Sequence, residues 1–300
     1  MAEASFMGCS VPGRRAGQTT GRTRVNPIRR AVARTRRVVA RIRRAGRPCR
    51  PAPPCLGLAR VAGSDTGDET TLLLVRHGES RAMADGIVGG PTGCTGLTDL
   101  GRRQAEALRD RFAAGFEPAV DVVFSSPLPR AYETTAVVAP ALRCGSTAGN
   151  GILVHDDLEE MRLGVADGLT WTAARRRLEW VDPVVDPYSP VVEGAESRDG
   201  FRRRIAAALV DLADRHPGAT VFVGCHGGTV TAAMAAVFGV GPEFAGLEGT
   251  VSLTSITRID VGRRGGTVRW TCRRFNDAAH LAGTGPARPG LGQAPPHRHP

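Results

Sequence analysis

Residues 72–80 read LLLVRHGES, an apolar run of four that ends abruptly in charged and polar side chains. Four apolar residues are too few for a helix, and such a run is typical of a strand buried on both faces of a parallel sheet. Two further short runs of this kind, at 120–124 and 220–223, are rich in Val or Phe. Stretches with helical spacing lie between them. The alternation predicts an α/β fold with a mostly parallel central sheet and helices on both faces.

Helix caps and apolar periodicity predict three helices, at residues 98–114, 170–180 and 197–215. The glycine-rich stretch GRRGG at 262–266 predicts the turn of a closing hairpin. Its strands are expected at 252–259 and 267–275.

Polar residues follow each of the three short strands: RHGES at 76–80, SSPLPRA at 125–131 and GCHGGT at 224–229. In open α/β sheets, ligands bind beyond the carboxyl ends of the strands. Two arginines and two histidines are therefore predicted to converge on one crevice, namely Arg76, His77, Arg130 and His226.

This set of side chains suits a phosphate group. Phosphoryl transfer passes through a transition state whose negative charge is spread over three oxygens. Arg76 and Arg130 can hold those oxygens in bidentate fashion, and His226 can add an N–H donor. His77 can attack phosphorus as a neutral imidazole, and Gly227 opens a helix whose N-terminal amides favour an anion. The predicted ligand is a small phosphomonoester.

Four motifs occur in order along the chain: RHGES, SSPLxRA, LxExxxGxxxG and HGGT. In this order, over about residues 71–281, the sequence resembles the histidine phosphatase (phosphoglycerate mutase-like) superfamily. The resemblance implies that family's fold and a phosphohistidine formed on His77. It also implies that Arg76, Arg130 and His226 complete the phosphate pocket.

The resemblance further implies that Glu160 donates a proton to the leaving oxygen, a step that suits a carboxylic acid. Its neighbour Glu159 is the alternative. The register of the motif with Gly164 and Gly168 favours Glu160.

The sequence departs from the family pattern at three positions. Met83 stands where an Asn is frequent, Ala166 where a Trp is common, and Arg162 where an acidic residue is frequent. These changes leave the predicted catalytic groups in place and put substrate recognition in doubt.

Several neighbouring residues are expected to have supporting roles. Ser80 and Thr229 either cap or support their loops or contact the phosphate directly. Asn276 and His280 are expected to hold the end of the chain by hydrogen bonds. Cys225 is expected to be a buried bystander rather than a nucleophile.

Three functions compete for this sequence: a phosphomonoester hydrolase, a phosphoglycerate-type mutase, and a non-catalytic protein that acts through a basic arm. The family's mutases usually carry a longer insertion between the acid and the second histidine, and here only residues 161–225 intervene. Hydrolysis is therefore favoured. The intact catalytic set argues against the third function. We expect no metal or other cofactor, because two arginines and two histidines supply the positive charge and the donors.

The net charge of +11 lies in one part of the chain. The first seventy residues hold fifteen Arg against four acidic residues, whereas the remainder is electrically balanced. An Arg-, Pro- and Gly-rich composition with few large apolar residues predicts disorder over 1–69, followed by a phosphatase domain over 70–281 and a disordered tail over 282–300.

Contact with nucleic acid or a membrane surface is expected, if at all, only through the basic segment, where residues 32–42 could form a short amphipathic helix. An organelle transit peptide, or a translation start placed too far upstream, would give a similar composition.

The seven cysteines are scattered and form no paired C-x-x-C spacing. This pattern predicts neither a disulfide framework nor a zinc site, and it fits a reducing compartment. The sequence contains no apolar stretch of membrane-spanning length and no signal-type apolar region near its start. We therefore expect a cytoplasmic protein.

Overall fold

The computed structural model describes residues 69–142, 151–244 and 251–282. Within these ranges, six strands form one sheet: β1 Thr70–Arg76, β2 Val122–Ser125, β3 Leu153–Val154, β4 Thr220–Cys225, β5 Ile256–Arg264 and β6 Thr267–Asp277. The α-helices are α1 Arg81–Ala84, α2 Asp99–Ala113, α3 Pro129–Val138, α4 Trp171–Arg177, α5 Arg198–Arg215 and α6 Gly227–Phe238. The predictions for residues 1–68 and 283–300, including the basic helix, lie outside the described residues.

The strand order across the sheet is β3-β2-β4-β1-β5-β6. The first four strands of this order run parallel, whereas β5 is antiparallel to β1 and β6 is antiparallel to β5. The predicted mostly parallel sheet is confirmed. Because β2, β4 and β1 are neighbours, their carboxyl ends lie side by side at one edge of the sheet.

The apolar run in β1 is buried on both of its faces. Leu72 and Leu74 pack in one core cluster with the inner side chains of α5 and α6, such as Ile205. Leu73 and Val75 point the other way, into a cluster with Leu108 and Phe112 of α2 and Phe222 of β4. Each buried side chain of this size contributes about 1.5–3 kcal/mol. Helices on both faces of the sheet are confirmed, and they explain why the run has no polar alternation.

The predicted helix starts are confirmed by side-chain caps. Thr98, Thr170 and Ser197 each accept a hydrogen bond from the backbone N–H three residues on, at 3.0, 3.1 and 3.0 Å. The predicted ends of α2 and α5 are also confirmed. Helix α4 ends earlier than predicted, at Arg177, where Leu178 takes an extended backbone conformation; the indole of Trp180 folds back and donates to the Ala174 carbonyl at 3.1 Å.

The closing hairpin differs from the prediction at three places, one of them the end of β6, which lies at Asp277 rather than at Phe275. Strand β5 continues through residue 264, and only Gly265 and Gly266, with φ of 57° and 77°, form the turn. Two residues with positive φ are sufficient for a hairpin of this type. Strand β5 also begins at Ile256 rather than at Ser252, because residues 252–255 form a turn in which Thr254 has a φ of 53°.

Candidate active site

The predicted phosphate-binding residues meet at the carboxyl edge of β1, β4 and β2. Arg76 ends β1 and His77 follows it, His226 follows β4, and Arg130 lies in the first turn of α3 beyond β2. The His77 and His226 rings lie edge to face, with their centroids 5.3 Å apart. The sheet order thus brings together residues that are up to 150 positions apart in sequence.

The His77 ring is 4% exposed and is held in one orientation. Its Nδ1 lies 2.7 Å from the Gly78 carbonyl oxygen, which can only accept, so Nδ1 carries the proton. The Nε2 lone pair then faces Arg130, whose Nε donates to it at 3.1 Å. Burial lowers the pKa of His77 well below its usual range, and the charges of Arg130 and Arg76 lower it further. The ring is therefore neutral, with its nucleophilic nitrogen at Nε2.

The two arginines have different hydrogen-bond partners around the pocket. Arg76 donates from Nη1 to the Val251 carbonyl, and its buried Nε has no partner among the described residues. Burial lowers the pKa of Arg76, while the charge of Glu160 opposes that shift. Arg130 is 6% exposed and donates from Nη1 to the Gly89 carbonyl at 2.5 Å. Both guanidinium groups remain charged, because arginine does not lose its proton in proteins.

His226 is fully buried at the N-cap of α6. Its Nε2 lies 2.8 Å from the Ser126 hydroxyl, and its Nδ1 has no partner in the part of the chain that the structure describes. Burial lowers the pKa of His226 well below its usual range, with further contributions from Arg130, His77 and Arg76. This ring is also neutral.

The structure separates the two adjacent glutamates. Glu160 turns toward the start of α6, where its Oε2 accepts from the Gly228 N–H at 2.9 Å, while its Oε1 accepts from the Met161 N–H at 2.9 Å. Glu159 instead pairs with the Arg162 guanidinium at 2.8 Å, away from the pocket. Only Glu160 lies beside the phosphate-binding residues.

Three glycines allow close packing around these side chains. A Cβ on Gly78 would lie 2.5 Å from the Gly101 carbonyl oxygen, so the loop after β1 crosses the start of α2 in direct backbone contact. A Cβ on Gly228 would lie 2.0 Å from Glu160 Oε1, whereas the atom nearest to a Cβ on Gly227 would be Arg76 Nε, at 3.4 Å, an ordinary van der Waals contact. Gly227 thus lies next to Arg76, one of the predicted phosphate-binding residues.

The secondary residues also have defined places. The Ser80 hydroxyl caps α1 by accepting from the Met83 N–H at 3.2 Å. The Asn276 side chain accepts from the Ser252 N–H at 2.7 Å, and His280 Nε2 lies 3.0 Å from the Thr254 hydroxyl. The last two contacts hold the turn before β5 against the end of the chain, as predicted for Asn276 and His280.

Two further buried residues, Thr229 and Cys225, lie near the pocket. Thr229 is fully buried, and its hydroxyl has no hydrogen-bond partner among the described residues. Burial raises the pKa of Cys225 far above its usual range, which keeps it a thiol and fits the predicted bystander.

Two contributors to the site were missed at the sequence level. Ser126 lies within the SSPLPRA motif, but nothing in the motif indicates that its hydroxyl contacts His226. Asp167 accepts hydrogen bonds from the backbone N–H groups of Gly90, Thr92 and Gly93, at 2.8, 2.7 and 3.0 Å. These bonds shape the loop that carries the Gly89 carbonyl. An acidic residue before a glycine, at 167–168, was the only sequence signal for this contact.

The described residues contain no group of three or more His, Cys, Asp or Glu side chains arranged to hold a metal ion. No helix among them is long and apolar enough to cross a bilayer.

The fold and the site define a phosphate-handling α/β protein, and comparison with known proteins identifies its family. Residues 72–277 match the histidine phosphatase superfamily, branch 1. The chain belongs to this superfamily.

Three curated relatives match this chain over most of their own length. The chain is 28% identical, over 232 residues, to phosphoglycerate mutase-like protein 4 of Arabidopsis thaliana, a match that covers 76% of this chain and 94% of that protein. It is 27% identical to the metal-independent phosphoserine phosphatase of the same plant, covering 72% of this chain and 85% of that protein. It is 32% identical to putative phosphoserine phosphatase 2 of Hydrogenobacter thermophilus, covering 57% and 80%.

Solved structures share the fold. A mycobacterial glucosyl-3-phosphoglycerate phosphatase in complex with VO3 superposes with a TM-score of 0.56 at 21% identity, covering 69% of this chain and 98% of that one. A phosphoserine phosphatase from Entamoeba histolytica superposes with a TM-score of 0.55 at 21% identity, covering 71% and 99%. At this level of identity, the likeness concerns the fold.

Proposed function

We propose that this chain is a phosphomonoester hydrolase that works through a phosphohistidine on His77, with Glu160 as the proton donor. The observation that carries the proposal is the state of His77: a neutral, buried imidazole whose Nδ1–H is tied to the Gly78 carbonyl. This bond directs the Nε2 lone pair toward Arg130, in the pocket where the phosphate would lie.

In the first step, Nε2 of His77 attacks phosphorus and the ester oxygen leaves. Arg76 and Arg130 neutralise the charge on the three phosphoryl oxygens, and His226 adds a donor. The close approach of Arg130 Nε to His77 Nε2, at 3.1 Å, supports this arrangement, because a phosphoryl group on Nε2 would lie within reach of the guanidinium.

Glu160 supplies the proton that the leaving oxygen needs. Water then attacks phosphorus and breaks the bond to His77, and the Glu160 carboxylate takes the proton that the water loses. Two backbone N–H bonds fix the Glu160 carboxyl at the start of α6, beside Gly227. The pairing of Glu159 with Arg162 supports the assignment to Glu160 rather than to its neighbour.

The substrate class is a small phosphomonoester. Three relatives or fold neighbours carry names that specify phosphoserine or glucosyl-3-phosphoglycerate as substrate, so phosphoserine and phosphoglycerates are the first compounds to test. The mutase-like relative from Arabidopsis thaliana keeps one alternative open, transfer between two hydroxyls of a phosphorylated acid. Release of inorganic phosphate from 3-phosphoglycerate, rather than its isomerisation, would distinguish hydrolysis from mutase chemistry.

The decisive experiment labels the full chain with a ³²P-phosphomonoester, followed by rapid quenching. Wild-type protein should carry an acid-labile, base-stable label, and His77→Ala should carry none and show no turnover. A label that persists in His77→Ala would place the nucleophile on another residue.

We also propose that the reaction needs no metal. The four cationic or donor side chains supply the charge stabilisation that Mg²⁺ supplies in other phosphoryl-transfer sites. Treatment with EDTA should leave kcat unchanged. If EDTA abolishes activity and added Mg²⁺ restores it, this part of the proposal is refuted.

Finally, we propose that residues 70–281 form the catalytic domain. Removal of residues 1–68 should leave kcat/KM within a few-fold of the full chain, measured on the same phosphomonoester. If the shortened protein fails to fold, as judged by circular dichroism, the domain boundary is wrong.

A further inference from the structure

We propose that Ser126 is a positioning residue that sets the tautomer of His226, so that this histidine presents an Nδ1–H donor to a phosphoryl oxygen. The inference rests on the proposed function, because it assumes that His226 faces a phosphoryl group. It adds a residue that the four motifs do not single out for chemistry.

Ser126 reaches His226 because their strands are neighbours in the sheet. The Ser126 backbone N–H donates to the Gly224 carbonyl at 2.9 Å, which continues the pairing of β2 with β4 by one residue. Its side chain is fully buried and its Oγ lies 2.8 Å from His226 Nε2. The contact is short and shielded from water.

The direction of this hydrogen bond follows from the other contact of the hydroxyl. Ser126 Oγ accepts from the Leu128 N–H at 3.3 Å, so one of its lone pairs is in use. If His226 Nε2 also donated to Oγ, the buried hydroxyl hydrogen would have no acceptor among the described residues. Buried polar hydrogens are rarely left unpaired. The arrangement that satisfies every group has Leu128 donating to Oγ and the Ser126 hydroxyl donating to Nε2.

That direction determines what His226 offers to the pocket. A neutral imidazole carries one N–H, and with Nε2 as acceptor the proton must be on Nδ1. Nδ1 is buried and has no protein partner in the described ranges, so it is the ring nitrogen left for a substrate. The opposite tautomer would leave a bare lone pair at Nδ1, which would repel a phosphoryl oxygen. Ser126 thus makes His226 a donor.

The first test reads the tautomer directly, by long-range ¹H–¹⁵N NMR of the ¹⁵N-histidine-labelled full chain at pH 7.5. The His226 signals are assigned by their loss in His226→Asn. We expect a protonated Nδ1 and an unprotonated Nε2. A protonated Nε2 in the wild-type protein would overturn the proposal, whatever any variant does.

The second test compares two adjacent serines. Ser126→Ala removes the hydroxyl that holds Nε2, whereas Ser125→Ala removes an equally buried hydroxyl that bonds to the Ser126 carbonyl and to Thr135 and does not touch His226. In Ser126→Ala, we expect the affinity for inorganic phosphate, measured by calorimetry, to fall about tenfold to a hundredfold, the range for a lost hydrogen bond to a charged group. The Nε2–H tautomer should also appear. Ser125→Ala should bind phosphate as the wild type does.

Equal phosphate affinities in Ser126→Ala and the wild type would refute the role of Ser126, and so would equal losses in both variants. If Ser126→Ala fails to fold, the tautomer of His226 in the wild-type protein still decides whether the proposal holds. Tautomer and phosphate affinity need no turnover, so a chain that passes both tests but hydrolyses nothing would refute the proposed function alone. A chain that hydrolyses phosphomonoesters with Nε2 protonated would refute the inference alone.

Discussion

Replacing Glu160 with Gln should slow hydrolysis by an amount that depends on the leaving group. An alkoxide needs a proton as it departs, whereas p-nitrophenolate hardly does. Loss of a general acid costs about 10²- to 10⁴-fold where the proton is needed. Hydrolysis of the alkyl substrate should slow by this full factor, whereas this effect on hydrolysis of the aryl substrate should be small.

The structure predicts a second, smaller loss of kcat/KM in Glu160→Gln that is the same for both substrates. The two Glu160 oxygens accept from the Gly228 and Met161 N–H groups, and an amide can replace only one of these bonds, because its NH₂ is a donor. One lost backbone bond is worth about 1 kcal/mol, or roughly a fivefold loss of kcat/KM through poorer positioning. We therefore expect about a fivefold loss on p-nitrophenyl phosphate and at least a further tenfold on an alkyl phosphomonoester.

The assay is kcat/KM for both substrates with the wild type, Glu160→Gln and Glu159→Gln. The last variant is the matched control, since Glu159 faces Arg162 and should leave the ratio of the two substrates unchanged. Equal losses on the two substrates would show that Glu160 is a structural or binding residue. A selective alkyl loss in Glu159→Gln would transfer the acid to the neighbouring position.

Three further predictions follow from the contacts around the site. Gly228→Ala should reproduce the selective loss of activity on the alkyl substrate, because the added methyl would displace the carboxyl of Glu160, the proposed proton donor. Gly227→Ala is the control and should lower kcat/KM far less. Equal losses of kcat/KM in the two variants, in the same two-substrate assay, would contradict this reasoning. Asp167→Asn should lower the free energy of unfolding by about 1–2 kcal/mol and raise KM, because it weakens the hydrogen bonds that hold the loop whose Gly89 carbonyl binds the Arg130 guanidinium. Urea denaturation measures the first effect and steady-state kinetics the second. An unchanged KM would argue against a role of Asp167 in the site. The two site histidines have pKa values below the usual 6.5, so in acid the unfolded chain binds more protons than the folded one. The free energy of unfolding should therefore fall by about 1 kcal/mol per histidine between pH 6.5 and 5.5, and a flat profile by urea denaturation would count against their buried, neutral state.

The sequence predicted the architecture well where one element's signal was strong and local. The apolar run of β1 and the cap residues Thr98, Thr170 and Ser197 each act within a few residues, so their effects can be read from the chain. The two-residue strand β3 could not be predicted, because Leu153 and Val154 are exposed and form no pattern. Its pairing with β2 exists only because the rest of the sheet is already in place.

In the site, too, features set by local signals were predictable and those set by long-range contacts were not. Order along the chain and placement after strands were enough to predict that Arg76, His77, Arg130 and His226 converge, because parallel strands align their carboxyl ends. The contacts between side chains were not predictable. Whether Ser126 or Ser125 faces His226 depends on the pleat of β2 and its register with β4, which no local pattern encodes.

The crossing of Gly78 and Gly101 joins the nucleophile's loop to α2 through backbone atoms alone. A Cβ on Gly101 would lie 2.0 Å from the Glu79 carbonyl oxygen, so neither partner has a side chain that could bend or rotate to absorb a shift. Backbone atoms in direct contact cannot rotate away from each other, so we expect a displacement of the helix to move the loop as well. Core changes at Leu108 or Phe112, far from the pocket, should therefore appear as lost turnover before they appear as lost folding. We therefore expect the catalytic rate to respond to the packing of α2 more sensitively than thermal stability does.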